Sequence, residues 1–203
     1  MITGPKYKIA RRLGAPIFEK TQTQKYALHL ERRGKYRGFT KPKSEFGLQL
    51  IEKQKARFIY GMPEKQFAAY VKEAIESKAT NAPATIYEFL ELRLDSVVFR
   101  LGLSTTRSGS RQMVSHGHIA VNGRRVDTPS RRLRIGDKIT IAERSLKKPL
   151  FENIDEKIKN APTVPSWIKF DAVKKVAEIQ GMPQYVKTEN MFDLNTVVEF
   201  YSR

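Results

Sequence analysis

The stretch RQMVSHGHIAVNGRRV, residues 111–126, decides the fold of this chain. Its apolar residues are spaced as in a helix up to Val114 and alternate as in a strand from Ile119 onward. Asn122-Gly123 follows, and this dipeptide suits a two-residue hairpin turn because both of its positions readily adopt a positive φ. The stretch therefore predicts a short helix followed by a β-hairpin.

We predict that the helix spans residues 107–115 and is opened by Ser104 or Thr105, whose hydroxyls suit an N-cap. Arg107 and Arg111 lie four residues apart in this helix, so they project from the same face. We interpret the two as a two-pronged basic edge that is available to phosphate groups.

Elements on either side of this stretch follow from local signals. Upstream, Ser44 is a plausible N-cap for a helix over 45–60 that ends at Gly61. Thr85 and Glu88 form a capping-box pattern that predicts the start of a longer helix. Its apolar face is one continuous stripe: Ile86, Leu90, Leu94, Val97 and Leu101.

Downstream, Gly136-Asp137 predicts a turn before a half-buried strand over 138–141, in which isoleucines alternate with polar residues. After Leu150 the pattern weakens, and we predict a linker over 161–165. We interpret Trp167 beyond it as a packing anchor.

The composition excludes several classes of protein. The 203 residues contain no cysteine, so disulfides, a thiol nucleophile and cysteine-ligated zinc are excluded. The longest apolar run is five residues, Phe67 to Val71, far short of the roughly 20 that cross a bilayer. The first residues show no signal for secretion or organelle import, and we expect a cytoplasmic protein.

The charge is strongly positive and unevenly distributed. The formal net charge is +17, and 38 basic side chains face 21 acidic ones. Residues 1–60 carry 15 basic and 4 acidic side chains, and residues 93–150 carry 13 and 4, whereas the intervening and final segments are near neutral. An excess of this size predicts a polyanionic partner, of which nucleic acid is the first candidate.

Arginine dominates lysine by ten to three in residues 93–150, which favours bidentate phosphate contact. The alternative is a solvated basic face with scattered salt bridges. On the first interpretation, the candidate nucleic-acid contacts are Lys6, Lys8, Arg11, Arg12, Arg32, Arg33, Lys53, Lys55, Arg57, Arg100, Arg107, Arg111, His116, His118, Asn122, Arg124, Arg125, Arg131 and Arg132.

Several stretches resemble one known family from end to end. They are GPK at 4–6, KIARRLG at 8–14, EFGLQL at 45–50, residues 93–102 and 111–126, VPSW at 164–167 and VVEFYSR at 197–203. They are similar to the S4 family of bacterial small-subunit ribosomal proteins, and residues 93–126 resemble its RNA-binding domain. Some members carry a zinc-binding cysteine cluster near the N-terminus, which this chain lacks.

The resemblance implies an α+β fold with four segments. Residues 1–43 are an extended basic N-terminal segment, and residues 44–92 are a mostly helical lobe completed by 151–203. Residues 93–150 are an S4-type RNA-binding module, in which two helices pack on a short β-sheet. Residues 151–203 are a C-terminal segment that packs on the helical lobe.

The resemblance also implies a function. Members of the family are structural constituents of the small ribosomal subunit, bind the five-prime domain of its ribosomal RNA, and nucleate assembly of the subunit body. The implied partners are this RNA, the fifth protein of the small subunit, with which the family contributes to translational accuracy, and messenger RNA near the channel through which it enters. No cofactor, no zinc and no enzymatic activity are expected.

Other interpretations stay open at the level of sequence. Asp95 in an Arg-Leu-Asp sequence resembles the catalytic motif of pseudouridine synthases, which would suit an RNA-modifying enzyme. The alternative is a structural role, in which the Asp95 carboxylate holds an arginine. A polybasic membrane-surface protein would need a basic amphipathic helix. His116 and His118 either contact RNA or pack. Replacing Arg107 and Arg111 by Ala is expected to weaken RNA binding and leave the fold intact.

Overall fold

The computed structural model describes residues 4–34, 44–77, 80–146, 148–151, 164–171 and 175–202. The fold is α+β, as predicted. The described α-helices are α1 Lys6–Leu13, α2 Gln24–Gly34, α3 Glu45–Ile59, α4 Glu64–Glu76, α5 Ala82–Glu91, α6 Leu94–Arg100, α7 Arg107–Ser115, α8 Glu143–Leu146 and α9 Leu194–Tyr201. The described strands are β1 Ile119–Val121, β2 Arg124–Val126, β3 Lys138–Ile141, β4 Ile168–Asp171 and β5 Val176–Ile179. Within the described residues, no helix is both long and apolar enough to span a bilayer.

The chain divides into two compact units. One comprises Met1–Ile86 together with Tyr185–Arg203, and the other comprises Tyr87–Gln184. The boundaries differ from the predicted segments, because the stretch after residue 150 is shared between the units. Only the final part, from Tyr185, joins the helical elements at the start of the chain.

The unit Tyr87–Gln184 contains a five-stranded antiparallel sheet in the order β2-β1-β3-β5-β4. The predicted hairpin is confirmed, since β1 pairs with β2 across a turn in which Asn122 has φ 52° and Gly123 has φ 77°. The predicted strand over 138–141 is confirmed as β3. Strands β4 and β5 are not predicted, because their apolar signal is weak: β4 buries only Ile168, and β5 buries the small Ala177 on the same side as Ile179.

Helices α6 and α7 pack together and contribute to one apolar core with the sheet. Val97, Val114, Ile119 and Ile179 are fully enclosed in this core. Trp167, the only tryptophan of the chain, is partly buried against the same core, as its interpretation as a packing anchor predicted. Its fluorescence is therefore a reporter of this unit.

The long helix predicted from Thr85 to Leu101 is wrong in two respects. Helix α5 begins earlier, at Ala82, where the Ala84 amide donates to the side chain of Asn81 at 3.2 Å. The helix is then interrupted between α5 and α6, where Arg93 is extended and forms an antiparallel bridge with Arg132. The bridge explains the break, because a backbone that pairs with a distant segment cannot also continue the helix.

The described part of the N-terminal segment is folded, whereas the sequence predicts an extended basic segment over residues 1–43. Helices α1 and α2, with a 3-10 turn between them, enclose a small apolar cluster of Ala10, Leu13, Ile17, Phe18 and Tyr26. Gly14 ends α1 with φ 72°. Residues 35–43 of the predicted segment lie outside the described residues.

The helices α3, α4 and α9 form the other part of this unit. The predicted cap is confirmed, since the Ser44 hydroxyl accepts from the Gly47 amide at 3.2 Å. Helix α9 packs on α3, and the ring centroids of Phe46 and Phe200 lie 5.4 Å apart. Glu52 of α3 accepts from the Asp193 amide at 3.0 Å and so fixes the start of α9.

The start of α7 gives a test of local stability. Thr106, and neither Ser104 nor Thr105, is the N-cap, and its hydroxyl accepts from the Gly109 amide at 3.0 Å. Thr106→Ala should lower the free energy of unfolding by about 1 kcal/mol, because this amide loses its acceptor. Urea unfolding followed by Trp167 fluorescence measures the change. Thr105→Ala is the matched control, since Thr105 is exposed, and an equal loss in both variants would contradict the assignment.

Candidate nucleic-acid interface

The candidate residues of the unit Tyr87–Gln184 divide into exposed cations and cations held by buried carboxylates. The exposed ones predicted from the sequence are Arg124 and Arg125 of β2 and Arg131 of the following loop. The first two flank the hairpin turn, whose geometry the Asn122-Gly123 sequence determines. The guanidinium of Arg125 lies over Gly117, and its Nη2 donates to the His116 carbonyl at 3.3 Å.

Four further exposed cations lie in the same part of the chain: Arg134, Lys138, Arg144 and Lys148. Arg134 belongs to the same basic loop as Arg131, whereas Lys138, Arg144 and Lys148 are not among the candidate contacts, although the charge count over residues 93–150 includes all four. With Arg124, Arg125 and Arg131 they form what we call the exposed cation set. Between residues 116 and 148, the described acidic side chains that are exposed are Asp127 and Glu143. The local surface charge is therefore strongly positive.

Glu91, at the end of α5, is the first of two buried carboxylates, and its side chain is 1% exposed. It accepts from Arg100 in bidentate geometry, with Oε2–Nε and Oε1–Nη2 distances of 2.8 Å. Its Oε1 also accepts from Arg107 Nη2 at 3.3 Å. Arg107 further donates to Ser96 at 3.2 Å, and its guanidinium lies 4.7 Å from the Phe99 ring centroid.

Asp95, in the first turn of α6, repeats this arrangement. Its carboxylate accepts from Arg93 Nε at 2.9 Å and Arg93 Nη2 at 2.7 Å, and Arg93 is itself fully buried. Its Oδ2 also accepts from Arg111 Nη1 at 3.4 Å. The contacts of Asp95 therefore agree with the interpretation of this residue as a structural carboxylate that holds an arginine. We call these two carboxylates and their four arginines the carboxylate–arginine network.

The network corrects the interpretation of Arg107 and Arg111 as an uncompensated basic edge. The two side chains do project together, but towards Glu91 and Asp95. Replacing both by Ala would leave buried carboxylates without part of their neutralisation, so an intact fold is no longer expected. The sequence does not reveal these ion pairs, because Glu91 lies just outside the basic segment 93–150 and Asp95 accepts hydrogen bonds from two arginines.

The three candidates on α3 also have internal partners. Lys53 is buried, its Nζ donates to Glu64 at 2.8 Å, and it lies 4.4 Å from the Phe200 ring centroid. Lys55 pairs with Glu52 at 2.6 Å, and Arg57 lies 3.4 Å from Glu64. Although burial raises it, hydrogen bonds from Lys53 and Tyr201 hold the pKa of Glu64 below its usual value. Lys53 and Arg57 thus link α3 to α4, whereas Lys55 pairs within α3. The prediction of Lys53 as a surface contact is corrected, because its side chain is buried.

The N-terminal candidates are mostly exposed. Lys6, Lys8 and Arg12 lie on the surface of α1, and Arg11 is partly buried. Lys8, Arg11 and Arg12 line an open groove of about 520 Å³. Arg32 is exposed on α2, whereas the side chain of Arg33 lies outside what the structure describes.

Arg132 and Asn122 each have a structural contact. The Arg132 guanidinium lies 4.1 Å from the Phe89 ring centroid, and the residue is partly buried. The Asn122 amide donates to Asp137 at 2.7 Å, and its oxygen accepts from the Lys138 amide at 2.8 Å. Asn122 is exposed, but these bonds tie the hairpin turn to the start of β3.

The two histidines differ in exposure. His116 is exposed, whereas His118 is buried, with its Nδ1 2.9 Å from the Ser145 hydroxyl and its ring edge-on to Phe151. For His118 the packing alternative is therefore correct, and direct RNA contact is not available to a buried ring. Burial lowers the pKa of His118, and the positive charges of Lys148, His116 and Arg125 lower it further.

This environment makes the stability of the unit depend on pH. His118 resists protonation in the folded state but titrates near pH 6.5 when unfolded. Its contribution to stability is therefore present above about pH 6.5 and is lost as the pH falls below that value. The free energy of unfolding reported by Trp167 should decrease less between pH 7.5 and 5.5 in His118→Gln than in the wild type.

His29→Gln is the control for this measurement, since His29 lies on α2 in the other unit. It should retain the wild-type pH dependence of the Trp167 signal. An unchanged pH dependence in His118→Gln would show that the buried ring does not couple to folding.

Comparison with known protein families gives matches along most of the chain. Residues 1–91 match the family described as "Ribosomal protein S4/S9 N-terminal domain". Residues 92–139 match the "S4 domain" family. The second match covers α6, α7, β1 and β2 and five of the seven residues of the exposed cation set, from Arg124 to Lys138.

Similarity to individual proteins extends from end to end. Each relative carries the name "Small ribosomal subunit protein uS4". The protein of Herpetosiphon aurantiacus is 39% identical, and the alignment covers 99% of this chain and 98% of the relative. That of Akkermansia muciniphila is 37% identical over 99% and 98%, and that of Streptococcus suis is 41% identical over 99% and 97%. The resemblance seen in the sequence is thereby confirmed, and the chain belongs to the uS4 family of small ribosomal subunit proteins.

Proposed function

We propose that this chain binds small-subunit ribosomal RNA, chiefly through the exposed cation set of the unit Tyr87–Gln184 and the cations of α1. Membership of the uS4 family makes the chain a structural, non-enzymatic component of the small ribosomal subunit, so the prediction that it is not an enzyme is confirmed. The proposal concerns how such a component holds RNA.

One observation carries the proposal. Among the described residues from 116 to 148, two exposed carboxylates, Asp127 and Glu143, accompany seven exposed cations: Arg124, Arg125, Arg131, Arg134, Lys138, Arg144 and Lys148. Of the other carboxylates nearby, Asp137 is partly buried and accepts from Asn122 and the Arg134 amide, and Glu91 and Asp95 are buried and already engaged. The described carboxylates therefore do not supply enough negative charge to neutralise these exposed cations. A phosphate backbone supplies the negative charge that they lack.

The kind of RNA follows from the kind of surface. A folded sheet and helices that carry arginines on turns can contact phosphates, 2′-hydroxyls and the shape of structured RNA without reading bases in a groove. The proposed target is the five-prime domain of small-subunit ribosomal RNA, whose folding this contact would nucleate. We also propose that the chain contacts the fifth protein of the small subunit and contributes with that protein to translational accuracy. A third proposed partner is messenger RNA, near the channel through which it enters the subunit. No cofactor is required.

The α1 cations support a second contact with the same RNA. Lys6, Lys8 and Arg12 are exposed on one short helix that is anchored by buried Ala10 and Leu13. A helix held in this way presents its basic residues from a fixed backbone. Binding by two separate units would raise the affinity for an RNA that spans both.

The test is a salt titration of binding to a transcript of the five-prime domain. If six to ten phosphates are engaged, affinity should fall by roughly 10³- to 10⁵-fold between about 50 and 200 mM monovalent salt. Arg131→Gln combined with Arg134→Gln should weaken binding by about 3 kcal/mol, as two charged hydrogen bonds are lost. The double variant should also reduce the salt slope by about 2.

Lys65→Gln combined with Lys72→Gln is the matched control, because it removes the same charge from exposed positions of α4. It should leave affinity near the wild-type value. An affinity that does not change with salt would contradict the proposal. An equal loss of affinity in both double variants would show that only the net charge of the protein matters, and not the positions of these arginines.

A further inference from the structure

We infer that Glu91 and Asp95 are positioning residues for RNA binding, which hold Arg100 and Arg111 in a fixed orientation at the protein surface. The inference rests on the proposed function, since it concerns how the same unit engages RNA. It assigns a binding role to two acidic residues, which a search for RNA contacts would pass over because their charge repels phosphate.

The exposure of the network is asymmetric. The side chains of Glu91 and Asp95 are 1% and 7% exposed, whereas those of Arg100 and Arg111 are 31% and 39% exposed. The anions are thus enclosed, while the cations that they hold reach the surface. A phosphate that approaches this site meets guanidinium groups first, with the carboxylates behind them.

The described contacts of the network follow one pattern around both carboxylates. Two carboxylates accept from four arginines. Each carboxylate takes one bidentate arginine, from residues 93 and 100, and one further arginine from α7. Each carboxylate therefore orients two guanidinium groups at once, which a salt bridge between one carboxylate and one arginine does not do.

Stability alone does not account for the arrangement. A buried ion pair is often no more stabilising than well-packed apolar residues of the same volume, because both charges must be desolvated. Orientation, by contrast, does require ionic groups. A free arginine loses rotamer freedom when it binds a phosphate, whereas an arginine already held in a planar fork loses less.

The decisive experiment is a substitution for which electrostatics and positioning predict opposite changes in RNA affinity. Glu91→Gln removes one negative charge, so electrostatics alone predicts tighter binding to the five-prime-domain transcript. Positioning predicts weaker binding, by about three- to tenfold for each arginine whose orientation is lost. The salt slope should stay near the wild-type value, because the number of cations is unchanged.

Asp127→Asn is the matched control, since it also removes one negative charge, from an exposed side chain beyond the hairpin. It should bind with wild-type or higher affinity. Circular dichroism and Trp167 fluorescence identify conditions in which each variant is folded, and affinities are compared only there.

Arg111→Lys provides a variant that does not depend on the tolerance of the core for Glu91→Gln. It keeps the charge but loses the planar fork, and we expect roughly threefold weaker binding at an unchanged salt slope. Wild-type or tighter binding by the folded Glu91→Gln variant overturns the inference, as does wild-type binding by Arg111→Lys if Glu91→Gln fails to fold. The proposed function fails separately, if the wild type shows no salt-dependent RNA binding or if Arg131→Gln with Arg134→Gln has no effect.

Discussion

The neutralisation of two carboxylates inside the unit Tyr87–Gln184 is the interaction on which its helices depend. Glu91 ends α5 and Asp95 begins α6, and both reach arginines of α7. A carboxylate in such a place must be paired, and removing one partner of a buried pair typically destabilises a protein by about 3–5 kcal/mol. The corner between α5 and α6 and the docking of α7 are therefore fixed by charge as well as by apolar contact.

This constraint divides the arginines of the unit into two kinds. Arg93 and Arg107 are largely enclosed and hold secondary structure together. Arg124 and Arg131 lie on the hairpin and on a loop, at the surface of a core that is otherwise apolar. Binding residues on turns of a rigid scaffold are a common solution, because a turn can vary without disturbing the core. Net charge alone does not distinguish the two kinds.

Local signals in the sequence were enough for the elements that depend on local physics. Asn122-Gly123 determines the hairpin because its two positive φ angles are a property of the dipeptide, and Ser44 determines the start of α3 by a bond within one turn. The break at Arg93 could not be predicted in this way. The apolar stripe continues through it, and the cause is a bridge to Arg132, far along the chain.

The same distinction applies to the candidate site. The basic character of residues 93–150 was evident from counting, but the partners of Arg100, Arg107 and Lys53 are set by tertiary contact. A count of charged residues could not distinguish a cation that pairs with a carboxylate from one that is exposed to solvent.

The connectivity of the chain has a consequence for its synthesis. The unit Tyr87–Gln184 is continuous, whereas the other unit needs α9, which packs on α3 through contacts such as that between Gln49 and Glu199, 150 positions apart. Domains fold largely in the order in which they leave the ribosome. The inserted unit can thus fold on the nascent chain before α9 has been made, and until α9 has left the ribosome, the surface of α3 that receives it stays accessible to chaperones.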